Sequence, residues 1–267
     1  MDKEAVIRNK VVRPQDYDRI VDTITINLSD RNYLPKDEMM ILDLLVSNNW
    51  ERPIYWAITV GNNKYMNLED YFQVEGFGYR FVPLKGEDTS GGISFGTVAT
   101  DIMYENMMNK YEYGNMNDPG VYLDENNRRM MTNIRNSFNR LASGLIDEGK
   151  QDSAITVLDR CFELVPGSLV PYEFFSLELI ENYYRAGAEE KGKRIMEEAY
   201  TMFEDELSYF LSLNRKFLQT PGINQEIQRN LFFLQRMERV ASNYGDAGLS
   251  QLIGNSVQKY IEMYNTL

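Results

Sequence analysis

The chain has no histidine and a single cysteine, Cys161. Without histidine there is no Ser-His-Asp or Cys-His nucleophile, no H-E-x-x-H zinc site and no ordinary general base near neutral pH. Any chemistry would have to come from carboxylates, Lys or Tyr, or from a metal held by oxygens alone. One cysteine excludes an internal disulfide and a multi-cysteine zinc site. Basic residues are outnumbered, 28 against 40 acidic, for a net charge of −12. That balance argues against non-specific binding to nucleic acid or to an anionic membrane, both of which need basic surface. No apolar run approaches the ~18–20 residues that span a bilayer. The segment Met1–Lys10 has no hydrophobic core of a signal peptide, so the sequence reads as cytoplasmic or as a fragment whose targeting segment lies elsewhere. No metal, cofactor or catalytic residue is expected from these residues.

What is present is ordinary globular composition. At 267 residues, 43% hydrophobic and 25% charged, the chain suffices for one large domain or two ordinary ones. The expected fold class is α+β: a small mixed α/β part over residues 1–120, then an all-helical tetratricopeptide-like array over 121–267. In the first part Thr23–Leu28 alternates with period two and reads as a half-buried strand. Pro35–Glu38 reads as a first helical turn, continued by an apolar face from Met39 to Val46. The segment N-N-W-E-R-P-I-Y-W-A-I-T-V-G, Asn48–Gly61, then reads as a helix end, a Pro53 corner and a buried strand over Ile54–Val60. Leu68–Phe72 reads as one or two helical turns, Tyr79–Leu84 as a strand, Gly86–Gly96 as a mobile loop, and 97–113 as a helix with Met103, Met107 and Met108 inward. The loop contains G-G-I-S-F-G, which matches neither glycine-rich phosphate motif.

The second part carries a repeat. Phe138, Leu141, Ala142, Leu145, Gly149, Ala154, Leu158, Cys161 and Pro166 match the tetratricopeptide pattern of alternating large and small positions. Ala142 and Ala154 allow close helix approach, Gly149 the left-handed turn, and Pro166 the stop. A degenerate copy follows when Gly187 is aligned with Gly149, with Leu179, Ile180, Tyr183, Gly192, Met196 and Ala199 at matching positions. Further helices are expected near 206–219, 223–244 and 247–264 with little repeat signature.

Two sets of residues invite a functional reading. Trp50, Tyr55, Trp56, Tyr65 and Tyr79 could stack against a sugar, with Asn48, Asn49, Arg52, Asn62 and Asn63 as hydrogen-bonding partners. The competing reading is a packed aromatic core with Trp50 covering the helix end. The stretch Asn115–Gly120 has the look of a calcium loop, but Pro119 and Asn126 stand where ligands are required, so a turn is expected. Cys161 reads as core. Asp22-Thr23-Ile24 and Asp152-Ser153-Ala154 have the form of a glycosylated tripeptide of exported proteins, although Asp152 also reads as a helix N-cap.

The motifs at 48–61 and Y-F-Q-V-E-G-F-G-Y-R-F-V-P-L, 71–84, resemble the C-terminal soluble region of a bacterial family of multi-spanning membrane proteins of unknown function. That family is similar to the protein O-mannosyltransferase class of GT-C glycosyltransferases, which use lipid-linked donors. The likeness extends through V-Y-L-D-E-N-N-R-R-M (121–130) into R-L-A-S-G-L-I-D-E-G-K (140–150). The resemblance implies a periplasmic fragment of an inner-membrane protein, attached through a membrane-spanning region that this sequence does not contain. The expected function is a non-catalytic domain that presents a helical-repeat groove to an acceptor protein or assembly partner. A carbohydrate-binding module built on Trp50 and Trp56 is the alternative, and a free-standing carboxylate-dependent enzyme the second.

Overall fold

The computed structural model describes residues 1–28, 32–86, 95–218 and 220–266. The chain divides into two compact units, Met1–Tyr111 and Glu112–Leu267. The first begins with a short helix α1 (Lys3–Arg8), capped by the Asp2 carboxylate on the Ala5 N–H, and a 3-10 turn at Pro14–Arg19. Helix α2 (Lys36–Ser47) follows. A four-stranded mixed sheet is built from β1 (Tyr55–Ala57), β2 (Phe72–Val74), β3 (Gly78–Phe81) and β4 (Thr97–Val98), in the order β1-β3-β2-β4. The β1–β3 and β2–β3 pairs are antiparallel and β2–β4 is parallel. Helix α3 (Thr100–Tyr104) then continues into a π-helical turn at Glu105–Lys110, with Met103 and Met107 buried.

The register explains the two faces of this sheet. Trp56 pairs with Tyr79, Tyr79 with Val74, and Phe72 with Phe81, so alternation places these apolar residues on one face. Tyr55, Arg80 and Gln73 are the matching cross-strand set on the other. A separate cluster of Val6, Val11, Val12, Ile20 and Val82 ties the N-terminal segment to the residues that follow β3.

Several sequence expectations need correction here. Thr23–Leu28 forms no strand, although Ile24, Ile26 and Leu28 are half-buried and the intervening residues exposed; the alternation of burial is present without a strand. The strand expected over Ile54–Val60 is only Tyr55–Ala57, and of its three residues Trp56 alone is buried, because alternation turns Tyr55 and Ala57 to the other face of the sheet. Leu68–Phe72 is a 3-10 turn at Glu69–Tyr71 that runs into β2, a strand the sequence did not suggest. The helix expected from residue 97 is preceded by β4. The apolar face of α2 is not covered: Met40 is 63% and Val46 83% exposed, and the only buried residue is Glu38. Of the Gly86–Gly96 stretch, residues 87–94 lie outside the described residues.

The second unit is helical: α4 (Glu125–Asp147), α5 (Gln151–Leu164), α6 (Phe174–Arg185), α7 (Glu189–Ser212), α8 (Arg215–Leu218), α9 (Pro221–Asn243) and α10 (Ala247–Asn265). Asp152 lies inside the first turn of α5, whose N-cap is Lys150, and not at the cap. A separate helix expected near 206–219 is instead the end of α7 followed by the short α8.

Three helical hairpins, α4/α5, α6/α7 and α9/α10, share one turn chemistry. Gly149, Gly187 and Gly245 have φ of 76°, 79° and 81°. In each, the N–H after the glycine bonds back to a carbonyl in the last turn: Lys150 to Leu145 at 2.8 Å, Ala188 to Tyr183 at 2.8 Å and Asp246 to Ala241 at 2.9 Å. This is the Schellman closure that satisfies carbonyls left open at a helix end, and it requires the left-handed conformation that glycine adopts without strain. Helix α6 packs on α4 and α7, α9 on α6 and α7, and α10 on α9 and α7. The first helices of the three hairpins, α4, α6 and α9, therefore lie in succession.

Candidate functional site

The corner at Asn48–Pro53 is closed by its own polar groups. The Asn48 amide donates to the Arg52 carbonyl at 2.8 Å and accepts from the Arg52 N–H at 3.2 Å. Asn49 and Trp50 both take positive φ, 42° and 63°, conformations with a steric cost for non-glycine residues. Trp50 offsets it by stacking on Phe81 at 5.2 Å. Asn49 and Arg52 are exposed, as are Asn62 and Asn63 in the following 3-10 turn.

The aromatic side chains nearby pack against one another. Trp56, 6% exposed, lies 5.0 Å from Phe72 and 6.0 Å from Phe81, and its indole N–H reaches the Lys64 carbonyl at 3.3 Å. Tyr65 is buried edge-on to Phe72 and Tyr79, with its hydroxyl on the Val60 carbonyl at 2.8 Å. Tyr79 stacks on Phe72 at 5.5 Å. Buried rings with satisfied polar ends are core packing. Tyr55 differs: it is half exposed, and its hydroxyl donates to the Glu75 carboxylate at 2.5 Å. Burial first, and then the Glu75 charge, push the Tyr55 hydroxyl up to about 12.

Glu75 is the hub that sequence reasoning missed. Its buried carboxylate also accepts from Gln73 at 2.7 Å and from Arg80 at 3.2 Å, while its carbonyl accepts from the Asn106 amide at 2.8 Å. The cross-strand pairs Tyr55–Arg80 and Gln73–Arg80 bring these groups together. No spacing rule for isolated residues reveals them; the signal would have been the register of three strands.

In the second unit the repeat residues sit in the α4/α5 hairpin. Phe138, Leu141, Ala142, Leu145, Ala154, Leu158 and Cys161 are all buried, Gly149 makes the turn, and Pro166 follows the end of α5. Burial pushes the Cys161 thiol up to about 12, so the sulfur is an inert packing atom. Arg135 is fully buried. Its guanidinium donates to the carbonyls of Pro171, Val165 and Val170 at 2.8, 2.9 and 2.6 Å and to the Ser176 hydroxyl at 3.2 Å. It thereby holds the connection from α5 to α6, and desolvation lowers its pKa.

Helices α4, α6 and α9 share a polar network. The Asn139 amide donates to Glu178 at 2.6 Å, Asn182 donates to Asn139 at 2.7 Å, and Arg185 donates to Asn182 at 2.7 Å, Ser143 at 3.0 Å and Asp147 at 2.6 Å. Arg236 approaches Glu178 and Glu181 at 3.9 and 3.8 Å and lies over the Phe174 ring at 5.1 Å. Burial lifts the Glu178 carboxyl above its ordinary range, with Arg236 and Asn139 opposing. Beside this network a shallow depression of about 300 Å³ is lined by Glu181, Phe232, Gln235, Arg236, Arg239 and Asn243, among others. Phe232 is half exposed, and Arg239 is exposed with no ion pair among the described residues.

No cluster of side chains suited to a metal ion occurs among the described residues, and no described helix is long and apolar enough to cross a membrane. A family model, TMEM260-associated domain 2, matches residues 1–102. No curated protein and no solved structure matches the chain.

Proposed function

We propose that this chain is a non-catalytic, periplasmic domain of a glycosyltransferase-like membrane protein, and that its second unit is a tetratricopeptide-like array that binds a protein segment. The binding face is the succession α4, α6 and α9. The observation that carries this reading is the half-exposed Phe232, which lines one depression together with Arg236 and Arg239, beside a polar network whose own members are already paired. Such a surface suits a segment that offers an apolar side chain next to a carboxylate, since aromatic and arginine residues dominate protein-binding energetics. Stacked helix pairs commonly use this face for peptides. The motifs at 48–61 and 71–84 fall inside the residues matched by TMEM260-associated domain 2, which supports reading the first unit as a domain associated with a larger protein.

The test is site-specific photocrosslinking from Gln235 in cells of the source organism. One reproducible protein adduct is expected, lost in the Phe232→Ala/Arg239→Glu variant. No reproducible adduct, or an adduct indifferent to that variant, removes the reading.

A further inference from the structure

The first unit contains a second candidate site, independent of the helical face. A cavity of about 540 Å³ lies between the N-terminal segment, the strands β2 to β4 and the start of α3. Its lining includes six cations, Arg8, Lys10, Arg13, Arg19, Arg80 and Lys85, against two carboxylates, Asp16 and Asp101. In a chain of net charge −12, this is a local inversion of sign. A concave wall of one charge concentrates ions of the other.

The pairing state of these cations is informative. Arg13 and Arg19 bond Asp16, Arg13 also reaches Asp101, and Lys85 reaches Asp70 at 3.3 Å. Arg80 is paired with Glu75, and its buried Nε has no hydrogen-bond partner among the described residues. Arg8 and Lys10 have no ion-pair partner among the described residues. Lys10 stands at φ 55°, at the end of α1, and its carbonyl accepts from Arg80 Nη2 at 3.2 Å. The fold thus holds Lys10 and Arg80 beside each other at the cost of a left-handed lysine.

Apart from Gln73 and Thr97, the rest of the lining is apolar and includes Val11, Val12, Val82, Val98 and Ile102, with Phe72. The size falls in the ~300–1,000 Å³ range of small-molecule sites, which combine apolar walls with a few placed polar groups. We propose that this cavity binds an amphiphilic anion, with its carboxylate or phosphate head on Arg8 and Lys10, beside the positive charge of Arg80, and its apolar body against the valines. A bare inorganic anion would leave the apolar wall unused, and a cationic amphiphile would meet the wrong sign.

Titration calorimetry below the micellar range tests this with four probes: decanoate, decyl phosphate, inorganic phosphate and decyltrimethylammonium. The two anionic amphiphiles are expected to bind, and inorganic phosphate to bind at least tenfold more weakly than decyl phosphate. The cationic amphiphile is expected not to bind. The Arg8→Glu/Lys10→Glu variant changes only exposed side chains and should retain its circular dichroism while losing at least tenfold in affinity for decanoate and decyl phosphate. A second variant, Val98→Asp, should weaken decyl phosphate more than inorganic phosphate. The proposal is overturned if neither anionic amphiphile binds or if the charge reversal leaves their affinity unchanged. Equal binding of inorganic and decyl phosphate, or equal binding of the cationic probe, overturns it as well.

Discussion

Arg135 shows how much one side chain can organise. Three backbone carbonyls and a hydroxyl depend on its guanidinium, and each carbonyl left unpaired in the interior costs about 1–3 kcal/mol. Arg135→Met should therefore destabilise the protein by more than about 3 kcal/mol. Arg135→Lys should restore only part of that, because an ammonium cannot span the same fork. Equilibrium urea unfolding of both variants measures the difference, and equal stability of Arg135→Met and the parent would contradict the assigned role. Cys161 makes the opposite case. With its thiol pushed up to about 12 by burial, the thiolate that reacts is absent at pH 8. Iodoacetamide should leave the folded protein unlabelled at that pH and label it only as it unfolds; rapid labelling of the native state would show the packing to be wrong. The sequence marked Cys161 as core through its small-residue position. It said nothing of Arg135, because a charged residue among helical neighbours reads as surface until its partners, some 30 to 41 positions away, are in place.

At the scale of elements, the glycine turns carry the most information. An added Cβ at Gly149, Gly187 or Gly245 would meet nothing within 4 Å, so any cost of substitution comes from the positive φ alone. Each Gly→Ala change should destabilise by about 1 kcal/mol through that backbone term, with similar values at all three sites by urea unfolding. A much smaller value at Gly245 would separate the third hairpin from the other two. Gly149 and Gly187 could be found by their spacing from large and small helix positions. Gly245 could not, since Glu238, Ser250 and Gly254 stand where the repeat pattern asks for other residue types and all three are only half-buried. Helix α2 shows the converse. Its start and end were readable from Pro35 and Asn48, but an apolar run from Met39 to Val46 predicts burial, and the described residues leave Met39, Met40, Leu44 and Val46 exposed. A run that is apolar on most sides, broken only by Asp43, identifies a helix without saying which side is covered.

For the whole molecule, the two units have separate cores: the aromatic sheet face and the valine cluster in one, the three hairpins in the other. Residues 112–267 expressed alone should keep their helical circular dichroism and unfold cooperatively in urea, because their hairpins bury their apolar positions against one another. A non-cooperative melt would mean that this core is incomplete without the first unit. The sequence by itself determined the α+β class, the helical character of the second half, the Gly149 and Gly187 turns and the Trp50–Pro53 corner. These follow from local periodicity and from residues whose backbone preferences need no partner. Only the tertiary structure decided that Trp56, Tyr65 and Tyr79 form a core, that Glu75 gathers Tyr55, Gln73 and Arg80, and that six cations surround one cavity of an acidic chain. Those facts depend on strand register and on side chains distant in sequence, and net charge, being a sum, conceals where the charges lie.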